Sequence, residues 1–199
     1  FNAYGEWNKI LSYDFRNPLY DASTSSFDKS ESKTITNNLT LRWDIWKGFY
    51  LTGSFSYSLS DSQSDKFVSP DHSSFETETD PGKRGSYFIS NMRGKSWQAR
   101  IGLTYSKTLS DNGSILTLNV GANANKSNSN SNSFSGIGFL KGNLTDMAFA
   151  NSYPTNGQPS GSESLSSSVG VFGNLNIIFL NRYFVDGSYR VSGSSKFGK

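Results

Sequence analysis

The sequence predicts an all-β chain forming a section of an antiparallel transmembrane β-barrel, and three observations carry that prediction. Apolar and polar side chains alternate with a period of two through several stretches, and the connections between those stretches are alternately very short and very long. No apolar run approaches the about 18 residues that a membrane helix needs, so any crossing has to be made by strands.

The alternation is clearest from Leu165 to Lys199. In a first run Leu165, Val169, Val171, Leu175, Ile177 and Phe179 share one parity, with Ser166, Ser168, Asn174 and Asn176 on the other. After a junction at Leu180 to Tyr183, the residues Tyr183, Val185, Tyr189 and Val191 alternate with Asp186, Ser188, Arg190 and Ser192. Successive side chains of a strand point to opposite faces, so this is a hairpin with one apolar and one polar face.

From the N-terminus, Phe1 to Trp7 alternates briefly and is assigned as the end of a strand, and Pro18 with its Ser/Asp neighbours marks residues 8–33 as a loop. Ile35, Leu39, Leu41, Trp43 and Ile45 then oppose Thr34, Thr36, Asn38, Thr40, Arg42 and Asp44. Beyond a turn at Lys47-Gly48, Phe49, Leu51, Phe55, Tyr57 and Leu59 face away from a ladder of serines. Residues 61–95 are polar and assigned as a second long loop. Trp97, Ala99, Ile101, Leu103 and Tyr105 resume the pattern, and Asp111-Asn112-Gly113 supplies turn chemistry, because Asn and Gly tolerate positive φ. Leu116, Leu118, Val120, Ala122 and Ala124 form the next strand, which gives way to the low-complexity run Lys126–Ser133 within a third loop over 126–164.

Short turns on one side and long loops on the other are the signature of an outer-membrane barrel, and aromatics gather beside the short turns: Trp43, Trp46, Phe49 and Tyr50 at one, Phe179, Tyr183 and Phe184 at another. About seven strands are visible, too few to close a wide barrel, so the chain reads as part of a longer polypeptide.

Composition agrees. Hydrophobic residues make up 34% and aromatic ones 15%, a balance that suits strands with one wet face. The net charge of +3 is spread out, leaving no basic stripe for nucleic acid. Cysteine is absent from the sequence, which removes thiolate metal sites and disulfides.

Three separated motifs carry a family resemblance. NPLYDAS at Asn17 to Ser23, SYPTNGQPSGSES at Ser152 to Ser164 and FGNLNIIFLNRYFVDGSYRVSGSSKFG at Phe172 to Gly198 resemble the barrel domain of the SusC/RagA-type TonB-dependent outer-membrane transporters of Bacteroidetes. One position departs from the family pattern: Ser192 precedes Gly193 where an aspartate is usual. The resemblance implies a fragment of a barrel of about 22 strands, with the plug domain, the TonB box and the C-terminal part of the barrel lying outside this sequence. It also implies a SusD-like lipoprotein partner, energy coupling to TonB-ExbB-ExbD through a part of the protein absent here, outer-membrane lipid around the barrel, and uptake of oligosaccharides or peptides.

No enzyme site can be assembled from the residues. His72 is the only histidine and has no cysteine near it, and Glu76, Glu78 and Asp80 lack the spacing and glycine of a calcium loop. No catalytic, cofactor or metal residue is therefore assigned. Two sets of contact residues are. Arg42, Asp44, Arg100, Asp186 and Arg190 have the polar parity, where they line the lumen, touch a plug, pair across strands or contact substrate in transit. Tyr20, Phe75, Tyr87, Phe139 and Tyr153 interrupt polar loops, where they either pin a loop to the barrel rim or contact a partner or substrate. The competing architecture is a soluble or surface β-sandwich that binds glycans, which requires a second sheet to cover the apolar faces.

Overall fold

Period-two alternation becomes six strands in the computed structural model, which describes residues 8–9, 16–110 and 113–196. They are β1 (Phe27–Trp46), β2 (Phe49–Val68), β3 (Ser86–Ser110), β4 (Ser114–Ile137), β5 (Ser160–Phe179) and β6 (Tyr183–Ser194). All six belong to one sheet in the order β1-β2-β3-β4-β5-β6, so each lies beside its neighbours in sequence. Among the described residues there is no second sheet, and no helix is long and apolar enough to cross a membrane.

The register of the β5–β6 hairpin sorts its residues as the parity requires. Val171 faces Val191, Ile177 faces Val185 and Phe179 faces Tyr183, whereas Phe172 faces Arg190, Asn174 faces Ser188 and Asn176 faces Asp186. Directly opposed residues of an antiparallel pair share a face, so a slip of one residue would reverse every one of these side chains. The junction is a three-residue turn in which Leu180 and Asn181 both adopt φ of 54°. The Arg182 amide closes it on the Phe179 carbonyl at 3.1 Å. At the first short turn Gly48 has φ of 77°, and a Cβ there would collide with the Ser106 carbonyl, whose own residue donates its amide to Gly48 O at 2.6 Å. Of the second short turn Gly113 is described, with φ of 83°; Asp111 and Asn112 lie outside the described residues.

Several boundaries differ from those that polarity predicts. The loops expected over 8–33, 61–95 and 126–164 are shorter, because β1 begins at Phe27, β2 runs to Val68, β3 starts at Ser86, β4 continues to Ile137 and β5 starts at Ser160. The Lys126–Ser133 run is therefore strand. Its serines find partners on the neighbouring strand, Ser131 with Ser162 and Ser133 with Ser160, each pair of hydroxyls 2.8 Å apart, and Ser32 and Ser62 do the same between β1 and β2. A strand that is polar on both faces has no hydropathy alternation to detect. The expected loop at Pro18 instead holds a short helix, α1 (Pro18–Ser23). Asn17 caps it by accepting the Leu19 amide at 3.1 Å, and proline suits the first helical position, where no backbone donor is needed. The seventh strand, expected at Phe1 to Trp7, lies outside the described residues.

The chain divides into two compact units. One comprises Thr34–Ser60, Gly94–Ser129 and the residues from Glu163 onward; the other comprises the described residues up to Lys33 with Asp61–Arg93 and Asn130–Ser162. In the first unit the apolar parity is exposed: Ile35, Leu39, Leu41, Trp43, Phe55, Ile101, Leu118, Val120, Val171 and Val185 all face outward, Leu39 with 69% of its surface accessible. Each such side chain left in water forgoes part of the about 1.5–3 kcal/mol that full burial would give. The second unit holds the buried hydrophobic residues found among those described, Phe67 and Phe139, at 0% and 1% exposure. Phe67 sits amid Phe27, Tyr87 and Phe139, with ring centroids 5.8, 6.1 and 5.1 Å away.

Candidate functional site

On the polar face of the first unit, strand parity brings side chains from four consecutive strands together. Gln98 and Arg100 of β3, Asn123 of β4, Phe172 and Asn174 of β5, and Ser188 and Arg190 of β6 line an open groove of about 400 Å³. The Arg100 guanidinium lies 4.8 Å from the Phe172 ring centroid, in cation–π contact. Arg190, directly opposite Phe172 in the β5–β6 register, donates from Nε to Ser192 Oγ at 3.0 Å and from Nη2 to Asn123 Oδ1 at 3.4 Å. Gly121 makes room for the ring, because a Cβ there would stand 2.6 Å from Phe172 Cζ.

The five charged residues expected on the polar face thus separate into three places. Arg100 and Arg190 share the groove. Arg42 pairs instead with Asp44, Nη2 to Oδ1 at 2.9 Å, and stacks 4.0 Å over the Tyr50 ring. Asp186 accepts a hydrogen bond from the Asn176 amide across the hairpin. Sequence reasoning misses Phe172 and places Tyr50 with the aromatics of the turn. Each is an aromatic among small or polar residues of its parity, Thr52, Ser54 and Ser56 after Tyr50, and Ser168, Gly170, Asn174 and Asn176 around Phe172.

The loop aromatics also separate. Phe139 at 1% exposure is closed to any partner, and together with Tyr87, 6.5 Å from it, belongs to the ring cluster that pins the 138–159 connection to the strand ends. Of the two roles expected for Phe139, its burial against Phe67 fits the packing role. Tyr87 is half-buried, and burial first, then the Asp65 carboxylate 3.4 Å from its hydroxyl, raises its pKa above the ordinary tyrosine value. Tyr20 is half-buried on α1 under the Lys9 ammonium, 5.6 Å from its ring centroid. Phe75 is half-buried at the end of a single 3-10 turn over Ser73–Phe75. Tyr153 alone of the five is largely open, in a groove beside Phe134 and Met147.

The NPLYDAS and acidic segments serve this second unit as internal ties. Asp21 accepts the Ser73 amide at 2.8 Å and the Ser73 hydroxyl at 2.6 Å, fastening the 69–85 connection to α1. Glu76 pairs with Lys9 at 3.3 Å, Asp80 caps the Pro81–Lys83 turn through the Gly82 amide at 2.9 Å, and His72 Nδ1 accepts the Ser74 amide at 3.1 Å. Among the described residues no group of three or more His, Asp or Glu is arranged to hold a metal ion. Asp21→Ala leaves the buried Ser73 without its partner and is expected to cost about 1–3 kcal/mol, read as faster hydrogen exchange at Ser73 with little change in the β5–β6 hairpin.

An open antiparallel meander with short turns, one exposed apolar face and one polar face has the architecture of a section of β-barrel wall. Comparison with solved structures gives the particular likeness. The chain aligns over 99% of its length with 22% of a chain in the structure of the RagAB peptide transporter, at a TM-score of 0.79 and 18% identity. It aligns over 98% of its length with 22% of a chain in the RagAB peptide importer in the closed-closed state, at a TM-score of 0.79 and 17% identity. The fold is thus the one that the SusC/RagA resemblance implies, and the chain spans about a fifth of the length of these neighbours. No protein-family model matches the sequence, and no curated protein matches it either.

Proposed function

We propose that this chain is part of the barrel wall and outer rim of an outer-membrane nutrient importer of the SusC/RagA type. The observation that carries the reading is the exposed apolar stripe on one face of a single sheet whose other face is lined by Arg, Asn, Gln, Ser and Thr. In a soluble sheet that stripe would need a covering layer, whereas lipid supplies one. Strands of 20 to 25 residues in β1 to β5 exceed the about 9–11 that a bilayer requires, so their Ser/Asn-rich ends and the tied connections 69–85 and 138–159 stand outside it.

TonB-dependent import, through parts of the polypeptide beyond this segment, and a SusD-like lipoprotein closing over the rim follow from the motif resemblance and the fold likeness. The neighbours' description as peptide transporters favours peptides over oligosaccharides as cargo. The β-sandwich alternative finds no second sheet among the described residues.

Single cysteines test the topology in the full-length protein, in intact outer membrane. Ser54→Cys, on the polar parity, should react with a water-soluble maleimide. Val171→Cys and Val185→Cys should react only after detergent extraction. Equal labelling of all three in intact membrane would defeat the barrel-wall reading.

A further inference from the structure

We infer that the groove formed by Arg100, Asn123, Phe172, Asn174 and Arg190 is a binding site for a carboxylate group carried by a solute crossing the polar face. The inference rests on the barrel-wall reading for the route by which a solute arrives; the site itself rests on the geometry.

Two guanidinium groups reach the same groove, and among the described residues neither has a carboxylate within 4 Å. Three arginines of the other strands and connections are engaged differently: Arg42 by Asp44, Arg93 by Asp61 at 3.6 Å, and Arg84 by the Glu78 carbonyl at 2.8 and 2.6 Å. Asp186, the nearest acid on β6, is four residues from Arg190, about 13 Å along a strand, and it already accepts from Asn176.

The site is also prepared in shape. Phe172 lies over Gly121, and the Arg100 guanidinium carbon sits 4.8 Å from its ring centroid, so the ring and the guanidinium line the groove together. A planar fork held on an aromatic platform is suited to bidentate recognition of a carboxylate, and Arg is preferred to Lys for this geometry. Arg190 is steadied by Ser192 and Asn123, and Asn174, Ser188 and Gln98 add neutral hydrogen-bonding groups around the two charges.

The test uses the full-length protein purified in detergent, with calorimetric titration of tetraglutamate against tetraglutamine, and of trigalacturonate against maltotriose. Acidic probes are expected to bind more tightly than their neutral counterparts. The double variant Arg100→Gln/Arg190→Gln should weaken acidic-probe binding about tenfold or more, whereas Arg42→Gln, whose guanidinium is occupied by Asp44, should leave it within twofold. A preference confined to tetraglutamate or to trigalacturonate would identify the source of the carboxylate and support the site. Equal affinity for acidic and neutral probes, or undiminished acidic-probe binding by the double variant, would overturn it. Gly121→Leu, which displaces Phe172 while retaining both charges, should reproduce most of the loss; unchanged binding there would remove the platform from the account. Heat-modifiable migration and outer-membrane fractionation of the same variants report the barrel reading separately, so failure of either leaves a distinct result.

Discussion

If the chain is barrel wall as proposed, replacing Leu175 with arginine is expected to destabilise the full-length protein by up to about 2–4 kcal/mol, the cost of a charge on the lipid-facing side of a barrel strand. Leu175 faces Gly187 across the β5–β6 hairpin, so on that side the substitution has room. Asn176→Arg, one residue further along, puts the same charge on the opposite face beside Asp186 and is expected to be tolerated within about 0.5 kcal/mol. Chemical unfolding in lipid vesicles measures both. If the two variants unfold alike, the apolar stripe does not face lipid and the barrel-wall reading loses its main support.

The second large effect is expected at Phe67→Ala. Phe67 is completely buried and contacts three aromatic rings, so its truncation removes the centre of the core of its unit, at about 3–5 kcal/mol. The consequence should be local, because this cluster holds the 138–159 connection through Phe139, whose amide also donates to the Arg84 carbonyl at 2.8 Å. Limited proteolysis of the membrane-embedded protein should therefore yield new cleavage within 138–159, with the β5–β6 hairpin still protected. Phe149→Ala, at a ring that is half exposed, should change the pattern little. Cleavage as slow in Phe67→Ala as in the parent protein would show that other contacts hold the rim.

If the rim is what a lipoprotein partner grips, Phe67→Ala should also weaken that partner's retention through disorder of the connection. Tyr153→Ala would act directly, since Tyr153 is open to solvent. Co-purification from solubilised outer membrane separates the two: the first loss should accompany new proteolysis, and the second should occur without it.

Alternation in the amino-acid sequence is enough to specify the strands nearest the short turns, their hairpin pairing and the composition of their two faces. A period of two, with one face apolar and one polar, fixes register and orientation together. Parity alone puts Val171, Ile177 and Val185 on one side and Asn174, Ser188 and Arg190 on the other, and the β5–β6 register keeps them there. Strand ends are not legible in the same way. At Lys126–Ser133 both faces are polar, so the hydropathy pattern vanishes while the backbone ladder and the Ser131–Ser162 and Ser133–Ser160 hydroxyl pairs continue.

Which polar-face charges meet depends on the tertiary arrangement. Arg42 and Arg100 are indistinguishable by parity, yet one finds Asp44 two residues away and the other meets Phe172 from β5, 72 residues along the chain. Likewise Phe139 and Tyr153 are both aromatics in one connection, and their opposite fates depend on whether Phe67 lies beneath the ring. Alternation specifies a face, but the neighbours on that face come from the pairing of separate strands, and burial comes from what the connections fold back upon.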